Sequence, residues 1–284
     1  MKQILVTGAN GQLGNEMRHL AVKNPTFEYI FAGTRELDVT DRDAIMTFVK
    51  NRKVNCIVNC AAYTAVDKAE EDKERCRMLN ALAPGYLAEA AQENGAYLIH
   101  ISTDYVFNGE AYLPYIETDA VCPKTVYGQT KLEGEQLVLE RCEHSMIFRT
   151  AWLYSSFGNN FVKTMLRLGC EKSEIGVVFD QIGTPTYAHD LAGAIFVAIN
   201  KGIVPGVYHF SNEGVCSWYD FAKSVFRLAG IETCKVRPLH TNEYPAKALR
   251  PHYSVLDKTK IKQTFGMQIP HWEESLARCL KELV

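Results

Sequence analysis

The sequence predicts an α/β fold: a doubly wound parallel sheet with a smaller, mixed C-terminal lobe. Three observations carry this reading. Short apolar runs alternate with amphipathic helical patterns through the first 150 residues. The run Val54–Cys60 is apolar enough to be buried on both faces, as strands inside a parallel sheet are. A glycine-rich turn, Thr7-Gly8-Ala9-Asn10-Gly11-Gln12-Leu13-Gly14, joins the first run to the first helix.

Gln3–Thr7 reads as the first strand, and a helix follows from about Leu13. Phe27–Ala32 is the second strand. Ile45, Phe48 and Val49 recur at helical spacing, so Asp41–Asn51 is a helix leading into the third strand, Val54–Cys60. A helical stretch over about Asp67–Asn94 is broken near Pro84, because proline lacks a backbone donor. Tyr97–Ser102 is the fourth strand, Tyr127–Cys142 the next helix and Ser145–Arg149 the fifth strand. Beyond residue 150 the rhythm loosens. Phe157–Asn160 and Gly183–Thr186 read as loops, Asp190–Asn200 and Trp218–Ala229 as helices, and Tyr208–Phe210 as a short strand between them. Prolines 238, 245, 251 and 270 punctuate the tail, which closes with a helix over Trp272–Leu283.

Composition narrows the function classes. The 31 Lys+Arg and 33 Asp+Glu residues of the 284-residue chain nearly cancel, so no broad basic field invites a nucleic acid. Hydrophobic content of 47% beside 23% charged residues excludes wholesale disorder. No apolar stretch approaches the roughly 20 residues of a membrane helix, and the N-terminal apolar run is too short for a signal peptide. Nine irregularly spaced cysteines fit free thiols in a reducing, cytoplasmic setting better than a disulfide framework. The histidines have no metal-ligand spacing, so no metal is expected. Glu16 on the first helix reads as a surface carboxylate, with a subunit contact or cation site as the lesser alternative, and Asp67–Arg75 as a solvated, charged helix face.

The strand–turn–helix context of the glycines points to a Rossmann-type dinucleotide site. Gly8, Gly11 and Gly14 allow a tight turn and close approach of backbone to a diphosphate. The N–H groups around Asn10, Gly11, Gln12 and Leu13 open the helix toward that negative charge. The second strand runs into Arg35, which suits the 2′-phosphate of NADPH; a solvated arginine beside Glu36 is the alternative, and it leaves NADH open. Asp38 and Val39 fall beside the adenine. Cys60, Ala61, Ala62 and Tyr63 close the third strand, and small residues there let a cofactor pass near the backbone. Residues 1–150 thus read as the dinucleotide-binding domain, with elements near 187–211 returning to it, and residues 151–284 mainly as a substrate-binding lobe.

The catalytic reading rests on spacing. Tyr127 and Lys131 are four apart at the start of a helix and share a face. An ammonium near a phenol favours its ionised form, which makes Tyr127 a proton donor to a developing alkoxide. Ser102 and Thr103 end the fourth strand at the same sheet edge and offer hydroxyls to a carbonyl oxygen or to the cofactor.

With these residues assembled, the chain resembles the extended short-chain dehydrogenase/reductases, and within them the dTDP-4-dehydrorhamnose reductase family. The resemblance is carried by Gly8, Gly11 and Gly14, by Asn59–Glu70 (NCAAYTAVDKAE), Ser102–Phe107 (STDYVF), Tyr127–Lys131 (YGQTK) and Arg149–Tyr154 (RTAWLY). Asn159-Asn160-Phe161, Asp180-Gln181 with Gly183 and Pro185-Thr186, and Arg250-Pro251 with Ser254 and Leu256 extend it over essentially the whole chain. It implies NADPH-dependent reduction of the 4-keto group of a dTDP-linked 6-deoxy-hexulose, giving dTDP-L-rhamnose. It assigns the triad to Thr103, which orients the keto oxygen, Tyr127, which protonates it, and Lys131, which holds the nicotinamide ribose. It places Trp152 against the sugar, and Asp104, Val106 and Asn160 on the substrate side. Arg250 is implied to face the diphosphate, a role that suits a guanidinium. The oligomeric state stays open, a homodimer included. Two rival readings remain: another nucleotide-sugar reductase or epimerase with the same triad, and a non-catalytic, reductase-like regulatory subunit.

Overall fold

Residues 1–283 are described by a computed structural model of the chain. The first half runs β1 (Gln3–Thr7), α1 (Gln12–Ala21), β2 (Glu28–Ala32), α2 (Arg42–Asn51), β3 (Val54–Asn59), the short α3 (Val66–Ala69) and α4 (Lys73–Arg77), α5 (Ala83–Glu93), β4 (Tyr97–Thr103), α6 (Val126–Arg141) and β5 (Ser145–Thr150). The second half adds β6 (Leu153–Tyr154), α7 (Phe161–Glu171), β7 (Glu174–Val178), β8 (Ile182–Gly183), β9 (Thr186–Tyr187), α8 (Ala188–Lys201), β10 (Gly206–His209), β11 (Cys216–Ser217), α9 (Trp218–Ala229), β12 (Lys235–Leu239), α10 (Thr259–Phe265) and α11 (Trp272–Leu280).

Six strands form one sheet in the order β10-β5-β4-β3-β1-β2, every pairing parallel. Val6 and Val58 face one core with residues of α1 and α8, while Leu5 and Ile57 face the other with residues of α2 and α5. That two-sided burial is why these runs are apolar throughout rather than alternating. The strand order reverses beside β1, so the C-terminal ends of β1 and β3 flank a crevice, the usual ligand position in such sheets.

Several helices start where the sequence offers a cap. The Asp41 carboxylate accepts from Ala44 N at 3.0 Å, and the Thr125 hydroxyl accepts from Gly128 N at 3.0 Å. Ser217 and Asp220 form a reciprocal capping box on α9. Each bond satisfies an amide left open by the first helical turn.

The helical stretch before β4 differs from the expectation. Instead of a break at Pro84, one turn of π-helix spans Met78–Leu82, and α5 begins at once, with Pro84 in its first turn. There the missing N–H has no helical acceptor to lose. The wide turn carries Asn80 inward, where its amide accepts from Tyr63 N at 2.8 Å and donates to Tyr63 O at 3.0 Å.

The smaller lobe packs around Tyr154, Phe221, Trp272 and Leu276, with β7 and β12 as a parallel pair. The paired strands β6–β9 and β8–β11 are two residues each, too short for a periodic signal. α10, also unexpected, returns Ile261 and Phe265 to the sheet-side core that holds α8 and β10. The closing helix ends at Leu280 rather than Leu283.

Candidate active site

The glycine turn is built by steric necessity. Gly8 has φ +62°, and a Cβ there would lie 2.5 Å from Ala61 N. A Cβ on Gly14 would lie 2.5 Å from Gly8 O and 2.6 Å from Ala9 Cα. Both obstacles are backbone, so only glycine lets α1 and the end of β3 press on the turn. Gly11 sits at the α1 N-cap without any side-chain cap, leaving the first amides of the helix open.

A cleft of about 490 Å³ opens over this turn. Of the expected residues, Gly8, Asn10, Gly11, Asp38, Val39, Cys60, Ala61 and Ala62 line it. Asp38 accepts from Thr40 N at 2.9 Å and Thr40 Oγ1 at 2.8 Å, bonds that hold its carboxyl below the ordinary value. Burial pushes the Cys60 thiol up to about 12. Arg35 is not in the lining. It stands exposed beside Thr34, which is, and forms no ion pair among the described residues. Glu36 does not neutralise it, because the Glu36 carboxylate accepts from Gly33 N at 2.8 Å. Among the lining residues not anticipated, Gly33, Thr34, Leu37 and Thr40 flank the expected ones in sequence, whereas Arg75, Met78 and Leu79 come from a separate part of the chain. Arg75, on α4, carries one end of the otherwise largely exposed charge run to the cleft.

The donors fit a phosphorylated dinucleotide. The cradle admits no Cβ at two positions, the helix amides are uncapped, and the apolar Met78 and Leu79 flank the Arg75 guanidinium, which has no ion pair among the described residues. Gln12 and Leu13 act differently. Leu13 is buried in the core, and Gln12 Oε1 accepts from Asn160 Nδ2 at 3.0 Å.

The second part of the site lies where β4 ends. Thr103 Oγ1 donates to Asp104 Oδ1 at 2.9 Å and accepts from Tyr105 N at 3.2 Å. The Thr103 hydroxyl lies near the Tyr127 phenol and favours its ionised form. Gly128 lets α6 press on the carbonyl of Tyr105, and the Tyr105 and Tyr127 rings meet edge to face at 5.4 Å. Burial raises the phenol of Tyr127 well above its ordinary value; the Thr103 hydroxyl opposes this, while Asp104 and Cys76 add to it. Lys131 is 1% exposed, and burial lowers its ammonium to about 8. Its Nζ donates to Ile101 O at 2.5 Å, so in this state it serves the backbone of β4 rather than the phenol. Among the described residues the Ser102 hydroxyl and Asp104 Oδ2 are buried with no partner within hydrogen-bond distance, although Ser254 lies near enough to Asp104 to favour its charged form. Burial raises the Asp104 carboxyl to about 6.

The remaining expected residues divide. Trp152 has φ +47°, rare for a bulky residue, and stacks on Trp218 with ring centroids 3.6 Å apart. Gly183 accommodates it, since a Cβ there would meet the indole at 2.7 Å. Val106 is fully buried with Phe107, Tyr115 and Leu256. Asn160 caps α7 by accepting from Lys163 N at 3.1 Å, and its amide also donates to Ser155 O at 2.7 Å. Arg250 is paired with Asp67 at 2.6 Å rather than standing free. Glu16 overturns its surface reading. It is 0% exposed, accepts from Ser155 Oγ at 2.6 Å and lies 3.0 Å from His189 Nδ1. With His19, these groups bring ligand atoms within 4.8 Å of one another, a convergence that sequence spacing cannot reveal across 173 positions.

Comparison with known proteins agrees with this geometry. The family model described as RmlD substrate binding domain matches residues 1–284. A dTDP-4-dehydrorhamnose reductase of Aggregatibacter actinomycetemcomitans is 43% identical over 286 residues, covering 97% of each chain. A crystal structure of a dTDP-4-dehydrorhamnose reductase from Clostridium acetobutylicum is 46% identical, with TM-score 0.95 over 99% of each chain. The Bacillus anthracis dTDP-4-dehydrorhamnose reductase, solved in complex with NADP, is 41% identical, with TM-score 0.95 over 99% of this chain and 100% of that one. The match runs from one end of the chain to the other, through the glycine turn, the β4 terminus and the lobe alike: the chain belongs to the RmlD substrate-binding-domain family.

Proposed function

We infer that the chain catalyses the NADPH-dependent reduction of dTDP-4-dehydrorhamnose to dTDP-L-rhamnose. It is an NADPH-dependent oxidoreductase, as the full-length relatives and the NADP complex of a 41%-identical structure support. The observation that carries the reading is the junction of β4 with α6. There Thr103 ends β4 while Tyr127 and Lys131 open α6, with Lys131 bonded to the backbone of β4. A non-catalytic protein has no need of that trio.

NADPH, when bound, supplies the hydride to C4 of the sugar. The residues of the chain do the rest. The Gly8–Gly14 turn holds the diphosphate, and Ala61, Ala62, Met78 and Leu79 accommodate the adenine end. Arg35 and Arg75 provide the positive charge for a 2′-phosphate. Thr103 directs its hydroxyl at the keto oxygen. Tyr127 gives its proton to that oxygen as negative charge develops there. The Lys131 ammonium, in reach of the same helix face, favours the phenolate that remains. Asp104, with one buried oxygen unpartnered, accepts from a sugar hydroxyl. Trp152 provides an apolar wall for the sugar, and Arg250, released from Asp67, meets the diphosphate of the substrate. Residues 1–150 with α8 and β10 form the cofactor domain, and the lobe built on α7, α9 and α11 covers the substrate. All nine cysteines are free, which supports a reducing, cytoplasmic location.

The test is incubation with dTDP-4-dehydro-6-deoxy-L-mannose and NADPH, followed by identification of the product sugar. Stoichiometric NADPH oxidation with dTDP-L-rhamnose as product is expected. The C4 epimer as product, or binding without turnover, would overturn the reading.

A further inference from the structure

Behind the catalytic residues lies a buried polar chain that the mechanism above does not use. Thr7 Oγ1 donates to Asn59 Oδ1 at 2.7 Å, and Ala61 N donates to the same oxygen at 3.1 Å. The backbone N–H of Ala61 can only donate, so this contact fixes which end of the Asn59 amide is oxygen. The Asn59 Nδ2 therefore donates, and it faces His100 Nδ1 at 3.1 Å. His100 Nδ1 must accept, and it carries no proton. A neutral imidazole then has its proton on Nε2. An imidazolium would set two donors against each other at Nδ1, and burial independently pushes His100 well below its ordinary value. His100 is 0% exposed, so no solvent relieves that conflict.

The Nε2–H points toward Lys131, whose Nζ lies 3.4 Å away. An ammonium presents only donors to it, whereas an amine presents a lone pair. We propose that His100 is a positioning residue for the reduction: pinned through Asn59 as the Nε2–H tautomer, it turns a donor on Lys131 and so favours the amine of that lysine over its ammonium. The proposal rests on the function given above and deepens it. No proton passes to or from His100; its fixed dipole biases its neighbour.

The other groups facing Lys131 are few. Tyr127 and Glu135 lie on its own helix, Cys76 comes from α4, and the Ile101 carbonyl comes from β4. Glu135 and Cys76 support the ammonium, and burial opposes it more strongly. Glu135 is committed to a buried pair with Arg149, at 2.7 Å, which spends much of its field. Burial brings the Lys131 ammonium down to about 8, and the Nε2–H of His100, 3.4 Å from Nζ, acts in the same direction. Below that point the ammonium assists Tyr127. Above it the assistance is lost.

Two measurements test this. The first is the pH profile of kcat, with NADPH affinity measured in parallel, for wild type, His100→Leu and His100→Gln. Leucine removes the facing donor. Glutamine keeps it: its amide oxygen can accept from Asn59 while its NH2 faces Lys131. The expected result is an alkaline limb moved up by about one pH unit in His100→Leu, with His100→Gln close to wild type. Coincident limbs in wild type and His100→Leu, or equal shifts in both variants, would overturn the proposal. The second needs no variant and no turnover. In 15N-histidine-labelled wild-type protein, His100 Nδ1 is expected to resonate as an unprotonated and Nε2 as a protonated nitrogen, with Nε2 shifting as Lys131 loses its charge. A proton on Nδ1 would contradict the mechanism directly. A wild type without turnover defeats the functional reading alone, because the tautomer is read independently.

Discussion

Tyr127 illustrates how little a side chain's identity says about its chemistry until its neighbours are placed. A phenol is a weak acid in water, and burial here makes it weaker still. What opposes this is local: the Thr103 hydroxyl favours the ionised phenol. The spacing of Tyr127 and Lys131 was legible in the sequence because a four-residue interval on a helix means a shared face. The direction of Lys131 was not, because a strand carbonyl 30 residues earlier takes its hydrogen bond. Arg35 raises the complementary case of a charge without a partner. With Glu36 turned back on Gly33 N, its guanidinium is free to meet a 2′-phosphate. Arg35→Ala should weaken NADPH binding about tenfold, the loss of roughly one charge-assisted contact, and leave NADH binding nearly unchanged. Equal effects on the two cofactors, read by fluorescence titration, would return Arg35 to the surface.

At the scale of elements, the glycine turn and the π-turn share one task. The first leaves the open end of α1 beside the cleft, and the second carries Met78 and Leu79 into the lining of the same cleft. Only the first was written in a recognisable way. Three glycines between an apolar run and a helix have few alternative explanations. The π-turn is one residue wider than the helix around it, and its stretch Met78–Leu82 carries no residue type that marks such a turn. Arg75 was hidden for a related reason: in a run of charges, nothing distinguishes the one that faces a ligand. Gly14→Ala should test the cradle. Its new Cβ would meet backbone of Gly8 and Ala9, which cannot swing aside, so α1 must shift. NADPH affinity is expected to fall at least tenfold, with a stability loss of about 1–3 kcal/mol from overpacking. Unaltered cofactor titration in a folded variant would show that the close approach is dispensable.

Across the whole molecule, the two cores are tied by polar contacts at the site rather than around it. Asn160 of the lobe donates to Gln12 at the start of α1, and Ser155 donates to the buried Glu16. The burial of Glu16 and the contact of Asn160 with Gln12 were not legible in the sequence, because a pairing across more than 130 positions leaves no local pattern. The Rossmann-type sheet was legible because its strands repeat one pattern; the lobe was not, because two-residue strands and an unexpected α10 repeat none. One buried ion pair holds α6 to β5: Arg149 Nε and Nη2 both donate to the Glu135 carboxylate, at 2.9 and 2.7 Å. Glu135→Leu strands the guanidinium and should cost about 3–5 kcal/mol in urea unfolding, while adding Arg149→Met should restore part of that. A single variant as stable as wild type would mean that Arg149 finds water. The most direct test of the account is Tyr127→Phe, assayed for both cofactor binding and single-turnover reduction of dTDP-4-dehydrorhamnose. NADPH binding within about twofold of wild type, with kcat down roughly 10²–10⁴-fold, is the predicted result; near-wild-type turnover would contradict the assignment of the proton to Tyr127.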